Sequence, residues 1–195
     1  MTAGKWVLVL GVALLAQQGS AHEIVGSIRN ATPLPARKSG LWEVTVRSDE
    51  MMLRRQGHAR NGPQTVQMCT TSVAEAVMLF AIVPGQQHCH KISVTPRNTK
   101  DGGGWDIHTA CAVHDNPVDA EMRLTGDLSR KYRGAYSVKY PQTPIHNSGR
   151  MLFEGRWLSA CAAGQRAGDM VLPNGVTVNV VDDRRRAEAE GGHRH

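Results

Sequence analysis

The sequence predicts a mainly β fold, in which about seven antiparallel strands form a curled meander sheet that packs on one short helix and carries two disulfides. Three observations predict it. Apolar and polar residues alternate with a period of two in several segments separated by turn residues. One segment has the start and stop signals of a helix, and four cysteines follow an export-type N-terminus.

The N-terminal residues are typical of a secretory signal peptide. Lys5 precedes an apolar run from Trp6 to Ala16, and a short polar segment follows that ends in the small residues Gly19, Ser20 and Ala21. This run is about half of the roughly 20 residues that span a bilayer, so we expect cleavage after Ala21 and no membrane span in the mature chain. The sequence therefore predicts a signal peptide over residues 1–21 and a periplasmic location.

The remainder of the chain is long enough for one domain with its own core. The chain has 23 Lys and Arg against 17 Asp and Glu, but the positive residues alternate with acids and form no basic tract. We therefore predict one β-rich domain over residues 22–181, with a solvated charged surface and no nucleic-acid partner. Residues 182–195 are charged and nearly free of apolar side chains, which predicts a disordered tail.

The individual strands follow from the alternation. In residues 40–48, GLWEVTVRS, the Trp and Val side chains share one face and the Glu, Thr and Arg side chains share the other. Similar segments follow: QTVQMC, KISV, WDIHTAC, AEMRLTGD, YRGAYSVKY and RMLFEGRWL. Between the first two of these, Ser72 and Glu75 form the pattern of a capping box before AVMLFAIV, which predicts the one short helix.

The four cysteines predict two disulfides. An even number of cysteines in an oxidising compartment is typical of a disulfide framework. Cys89 and Cys111 are equally distant from a turn-rich segment centred near residue 100, so an antiparallel hairpin would place them opposite each other. This favours a Cys89–Cys111 bridge among the three possible pairings and leaves Cys69 for Cys161.

Several segments, taken in order, resemble one protein family. They are RKSGLWEVTV, QMCTTSVAEA, the two middle cysteines and GRWLSACAAGQRAGDMVLPNG. Over roughly residues 33–175 the chain resembles the domain of unknown function 3617 family of exported proteobacterial proteins. Thr70, Ser159 and Ala167 stand where Leu, Gly and Pro are usual in that family, and no cysteine is lost. The resemblance implies a small periplasmic β-rich domain with no established activity.

Motifs for catalysis are missing from the sequence. It contains no Gly-x-Ser-x-Gly elbow, no phosphate-binding glycine loop, no His-Glu-x-x-His helix and no Cys-x-x-Cys pair. We therefore predict no catalytic residue and no cofactor. A binding role is the leading hypothesis, because a curled sheet on a helix can leave an apolar cavity for a small ligand or an envelope partner. The aromatic residues expected to line it are Trp42, Trp105, Tyr136, Phe153 and Trp157.

Metal binding is the alternative hypothesis. Imidazole and thiolate are common ligands of zinc and copper, and four histidines flank the two middle cysteines: His88, His90, His108 and His114. Neighbouring residues of a strand point to opposite faces, so Cys89 cannot share a face with the histidines beside it. This observation favours the structural disulfide over a mixed metal site.

Overall fold

Alternating side chains build a single antiparallel sheet. The structure, a computed structural model, describes residues 34–49, 62–99, 102–113 and 116–191, which all belong to one compact unit, residues 31–195. The predicted signal peptide, residues 1–21, lies outside the described residues.

Within the described ranges the chain forms nine strands and two α-helices. The strands are β1 Gly40–Ser48, β2 Gln64–Thr70, β3 Cys89–Thr99, β4 Gly102–Val113, β5 Asn116–Asp127, β6 Lys131–Lys139, β7 Met151–Ser159, β8 Asp169–Val171 and β9 Thr177–Asn179. The helices are α1 Glu75–Met78 and α2 Val180–Gly191, and short 3-10 turns cover Gln86–His88 and Pro144–His146. No helix in these ranges is long and apolar enough to cross a bilayer.

The strand order is β3-β4-β5-β6-β7-β1-β2-β8-β9, and every pairing between neighbours is antiparallel. Strands β3 to β7 form the predicted meander, and β1 pairs with β7 to bring the β1–β2 hairpin into the same sheet. The predicted mainly β, antiparallel fold with a short helix and two disulfides is confirmed, with nine strands instead of about seven. The additional β8 and β9 have three residues each, too few for alternation to be recognised.

One face of the sheet holds the core. Trp42 and Val44 of β1 are completely buried, as are Leu124 of β5 and Met78 of α1. The segment after α1 adds further buried apolar side chains: Leu79, Phe80 and Val83. Residues that alternate with the core positions point to the opposite, polar face of the sheet.

Two disulfides stabilise the sheet. Cys89 and Cys111 are direct cross-strand partners in the β3–β4 hairpin and are bonded to each other. Cys69, near the end of β2, is bonded to Cys161, which follows β7, with their Cα atoms 5.4 Å apart. Both bridges have the pairing that the hairpin reasoning favoured.

Helix α1 is shorter than the eight-residue segment predicted from the capping box. It covers only Glu75–Met78, and Ala74 caps it without a side-chain hydrogen bond. The Glu75 carboxylate does not close a capping box with Ser72, because it accepts hydrogen bonds from Arg37 and Thr70 instead.

The prediction of a disordered tail over residues 182–195 was wrong for residues 182–191, which belong to α2. Asn179 caps this helix, its Oδ1 accepting a hydrogen bond from the backbone N–H of Asp182 at 2.9 Å. Arg184 and Glu188 form an ion pair at 2.6 Å along the helix, and Val180 and Val181 pack against the core. Residues 192–195 lie outside the described residues.

Candidate functional site

The candidate site lies on the polar face of the sheet. There Arg123 of β5 is the cross-strand neighbour of Ala135 on β6. Leu152 of β7 lies between Ala135 and Arg47 of β1. Neighbouring strands are about 4.8 Å apart, so the row from Arg123 to Arg47 spans about 14 Å. An apolar pair, Ala135 and Leu152, therefore occupies the middle of a row that has an arginine at each end.

Two further arginines lie beside the same apolar pair. Arg133 precedes Ala135 by two residues on β6, and Arg150, immediately before β7, precedes Leu152 by two residues. Residues two apart on a strand share a face, so these two residues flank the apolar pair on the same face of the sheet. We call the four residues that surround it the arginine cluster: Arg47, Arg123, Arg133 and Arg150.

The arginine cluster lines a surface cavity of about 340 Å³. Arg97 of the edge strand β3 is a fifth arginine in its wall, and Glu154 is the one carboxylate among the described residues that line it. The remaining lining residues are small or apolar, apart from one threonine: Thr125, Gly134, Ala135, Leu152 and Phe153.

The floor of the cavity is apolar and covered. Ala135 belongs to the polar face, yet it is only 8% exposed. An arginine on a neighbouring strand can lay its aliphatic stem over a small side chain of this kind and keep its charged end in water. The cavity therefore combines an apolar floor with a cationic wall.

Three acids moderate the positive charge. Arg150 donates a hydrogen bond to Asp49 at 3.1 Å, Arg123 Nε lies 3.4 Å from Asp106 Oδ1, and Glu154 pairs with Lys131 at 3.3 Å. Arg47 and Arg133 have interactions of their own, so each arginine of the arginine cluster is held by at least one other group.

Asp106 lies between two arginines without a hydrogen bond to either Nε atom. Arg97 Nε is 3.8 Å from its Oδ2, beyond hydrogen-bond length. Arg97 Nε and Asp106 Oδ1 are both buried and have no hydrogen-bond partner. Such groups are costly to leave unpaired.

Two smaller cavities adjoin the main one through shared residues. One, of about 320 Å³, is lined by Arg133, Glu154 and Lys131 among others. The second, of about 240 Å³, shares Arg123 and Arg150. The cationic surface thus extends along β5 and β6 beyond the arginine cluster.

A second group of charged residues is buried under the opposite face. Arg37 donates to Glu75 through Nε at 2.6 Å and Nη2 at 3.1 Å, and through Nη1 to the Tyr132 hydroxyl at 2.9 Å. Thr70 donates to the same carboxylate at 2.6 Å. The Arg37 and Glu75 side chains are 1% and 3% exposed, so the pair is sealed from water.

The surroundings of this pair explain the directions in which its pKa values move. Burial alone would lower the pKa of Arg37, but its electrostatic interactions with Tyr132 and Glu75 outweigh burial and raise the pKa. Burial raises the pKa of Tyr132 above its ordinary value, in spite of Arg37. The pair stays charged and fixes the segment before β1 to α1 and to the sheet, which is a structural role.

The predicted ligand-cavity aromatics are distributed through the core and its margin. Trp42, Tyr136 and Phe153 are buried, and Tyr136 lies 6.2 Å from Phe153 between ring centroids. Trp105 and Trp157 are partly buried and pack against the core from its edge. The Phe153 ring also reaches the wall of the arginine-lined cavity. An apolar ligand for these residues remains a prediction.

The histidines do not assemble into a metal site within the described ranges. His88 lies in a 3-10 turn, His90 and His108 are exposed on β3 and β4, and His114 lies outside the described residues. Cys89 and Cys111 form a disulfide, so their sulfur atoms are not thiolate ligands. No group of three or more His, Cys, Asp or Glu side chains among the described residues could hold a metal ion.

The arginine cluster and the buried Arg37–Glu75 pair were both missed by sequence reasoning. The alternation in GLWEVTVRS places Arg47 on the face opposite the core, and the same pattern applies to Arg123 and Arg133. What alternation cannot supply is the order of the strands, which decides whether these arginines become neighbours.

Together the sheet and its arginines define a class, a disulfide-linked antiparallel β domain with a cationic cavity on the face opposite its core. A family model described as protein of unknown function (DUF3617) matches residues 37–161. Because the match covers more than half of the 195 residues, the chain belongs to this family, as the order of its motifs predicted. The matched region extends from Arg37 to Cys161 and contains β1 to β7 and all four cysteines. No curated protein and no solved structure matches the chain.

Proposed function

We propose that the protein is a non-enzymatic periplasmic binding domain whose arginine cluster binds an anionic ligand. The observation that carries the proposal is the cavity of about 340 Å³, whose described lining residues include five arginines and one carboxylate. Like charges brought close together on a sheet are destabilising. An anion bound between these arginines would reduce the repulsion among them.

Arginine is the side chain best suited to this task. Its guanidinium group stays charged at all physiological pH values and offers five N–H donors in a planar fork. That fork matches the oxygen atoms of carboxylates and phosphates, and charge-assisted hydrogen bonds of this type are about twice as strong as neutral ones.

The composition of the cavity wall supports binding rather than catalysis. Among the described part of the chain, no histidine or cysteine lines the cavity, and the one carboxylate there, Glu154, is paired with Lys131. General acid–base and nucleophilic catalysis both need a titratable group that is free to exchange a proton or attack a substrate. Arginine cannot serve as such a group, because its guanidinium stays protonated at neutral pH.

The proposed location has two supports. The N-terminal residues have the pattern of a signal peptide, and the domain carries two disulfides, which persist in oxidising compartments such as the periplasm. The ligand differs from the apolar molecule expected from the aromatic residues, because those residues lie in or against the core. An envelope component that carries an anionic group fits the cavity better.

Isothermal titration calorimetry with inorganic phosphate and citrate, at low ionic strength, tests the proposal. Hydrogen bonds to charged groups contribute about 1.5–3 kcal/mol, so we expect Arg123→Gln to weaken anion binding at least about tenfold. Asp106→Asn should strengthen binding, since it removes a carboxylate 3.4 Å from the same guanidinium.

Arg156→Gln is the matched control. Arg156 lies on the same face of the sheet, is 64% exposed against 69% for Arg123, and also has an acidic partner, Glu43 at 2.8 Å. It does not line the cavity, so the affinity should not change. Absence of binding by the wild type, or equal losses in Arg123→Gln and Arg156→Gln, would overturn the proposal.

A further inference from the structure

We infer that residues 162–191 form a detachable cap, which covers the edge of β2 and opens as one unit while the rest of the fold stays intact. This segment, the C-terminal cap, contains β8, β9 and α2. None of the described residues that line the arginine cavity belongs to it, so its opening leaves that cavity in place.

The C-terminal cap contributes little to the apolar core. Within the described ranges, every buried apolar side chain lies in the part of the chain from Trp42 to Phe153. The apolar residues of the cap that pack against this core, Met170, Val180 and Val181, are only half-buried. Because burial of apolar surface is the dominant favourable term in folding, undocking the cap gives up only this marginal packing.

The polar contacts between the cap and the rest of the chain are also limited. Strand β8 pairs with β2 at two positions, whereas β1 pairs with β2 at seven. The backbone N–H of Gly168 donates to the carbonyl of Cys69 at 2.9 Å. Helix α2 lies against α1 and the 3-10 turn before β3, where Arg184 Nη1 donates to the carbonyl of Gln86 at 3.2 Å.

Inside the cap the contacts are denser. The Asp169 carboxylate accepts hydrogen bonds from the backbone N–H of Arg166 at 2.7 Å and from Asn179 Nδ2 at 2.8 Å. Asn179 also caps α2 through the N–H of Asp182, and Arg166 pairs with Asp182 at 3.0 Å. These bonds tie β8, β9 and the start of α2 together, so the cap should open as a unit and not helix by strand.

Opening would change both α2 and β2. Helix α2 has twelve residues, and isolated helices of this length are marginal in water, so it should melt when the cap undocks. The start of the cap stays in place, because Cys161 is bonded to Cys69 at the end of β2. Strand β2 would then become an edge strand, to which an extended segment of another protein can add.

Hydrogen exchange of the oxidised, full chain in increasing urea, followed by mass spectrometry, tests the inference. The hydrogen-bonded amides of β8, β9 and α2 should exchange at least about tenfold faster than those of β5 and β6. Their exchange should also depend less on urea, because opening the cap exposes less surface than unfolding the whole chain.

Two arginines of α2 test the docking of the helix. Arg184→Gln removes the hydrogen bond to Gln86 and should speed exchange throughout the cap between about twofold and tenfold. Arg185→Gln is the matched control, since Arg185 also has an acidic partner within the helix, Asp182 at 3.5 Å, and should change the rates less than about twofold. Equal effects of the two variants would contradict docking through this contact.

Two glycines test whether the cap is one unit. Gly168 has φ +97°, and a Cβ there would lie 2.7 Å from the Val181 side chain, so Gly168→Ala should speed exchange in α2 as well as in β8 and β9. Gly164 also has a positive φ, +83°, but a Cβ there would meet no atom within 4 Å, so Gly164→Ala should have a smaller effect.

Unchanged exchange in β5 and β6 shows that each variant remains folded. Exchange of α2 at the rate and with the urea dependence of β5 and β6 in the wild type would overturn the inference, because the cap would then open only with the whole fold. A response of β8 without α2 in Gly168→Ala would overturn the single unit.

Discussion

Replacing Glu75 with Gln should destabilise the fold more than any comparable change at a surface ion pair. The Glu75 carboxylate accepts hydrogen bonds from the backbone N–H, Nε and Nη2 of Arg37 at 3.1, 2.6 and 3.1 Å, and from Thr70 at 2.6 Å. The amide of Gln has nearly the same shape but no charge. The variant would leave the Arg37 guanidinium, 1% exposed, without a counter-ion.

The magnitude follows from burial. Removing one partner of a buried ion pair costs about 3–5 kcal/mol, because an uncompensated charge remains in the core. The matched control is Glu43→Gln, which breaks the Arg156–Glu43 pair at 2.8 Å with side chains 64% and 25% exposed. Water screens such a pair, so its loss should cost about 1 kcal/mol or less.

Urea unfolding of the oxidised protein, followed by tryptophan fluorescence, measures both changes. Trp42 lies beneath the Arg37 guanidinium, which is 5.8 Å from its ring centroid, so its emission reports the environment of the pair. The double variant Arg37→Met with Glu75→Gln should recover part of the lost free energy of unfolding, because it removes the stranded charge. A cost below about 1 kcal/mol for Glu75→Gln would refute the assignment of a dominant electrostatic role.

Two more predictions concern pH and the disulfides. A hydrogen bond from the Arg166 backbone N–H lowers the pKa of Asp169 below its ordinary value of 3.8. The ionised Asp169 carboxylate therefore stabilises the fold above that pH, and this stabilisation is lost on further acidification. Asp169→Asn should flatten the fall in stability at acid pH, measured by unfolding between about pH 5 and pH 2, and an unchanged fall would contradict the prediction. The Cys69–Cys161 and Cys89–Cys111 bridges close loops with sequence separations of 92 and 22. Replacing each bridge by a pair of serines should lower the free energy of unfolding by about 4.6 and about 3.4 kcal/mol respectively, according to the loop-entropy model. Unfolding in guanidinium chloride measures both losses, and a larger loss for the Cys89–Cys111 bridge would count against that model.

The hairpin shows how far sequence reasoning could reach. Equal distance from a turn predicted the Cys89–Cys111 bridge correctly. The actual ladder begins at the pair Thr99 and Gly102, and without interruption it would place Cys89 opposite Ala112 rather than Cys111. A register shift between Cys89 and Lys91, a bulge, restores the pairing. Alternation of side chains cannot reveal one extra residue in a strand, so the pairing was predicted without its full geometry.

The helices were predicted less well, for a physical reason that the structure makes clear. The spacing of Ser72 and Glu75 fits a capping box, but a buried arginine 38 positions before Glu75 competes for its carboxylate. Long-range partners of this kind are invisible to local patterns. Helix α2 was missed because the composition of its residues indicated disorder. The cap at Asn179 and the paired charges along the helix stabilise it nonetheless.

The arginine cluster required information that only strand order contains. Arg47 is separated by more than 70 residues from Arg123 in sequence, yet the insertion of β1 beside β7 places both in one row of the sheet. A simple up-and-down order would have left β1 at an edge, with its arginine remote from the others. The faces of the strands were predictable, but their neighbours were not.

The bulge in β3 also bears on how the protein avoids aggregation. Strand β3 is eleven residues long and lies at one end of the sheet, where a second chain could add a strand to its unpaired backbone groups. The register shift beside Cys89 interrupts the regular edge of β3. Pro96 has no backbone N–H to donate, and the exposed Lys91 places a charge on the same strand. All three features oppose the addition of a further strand at this edge of the sheet.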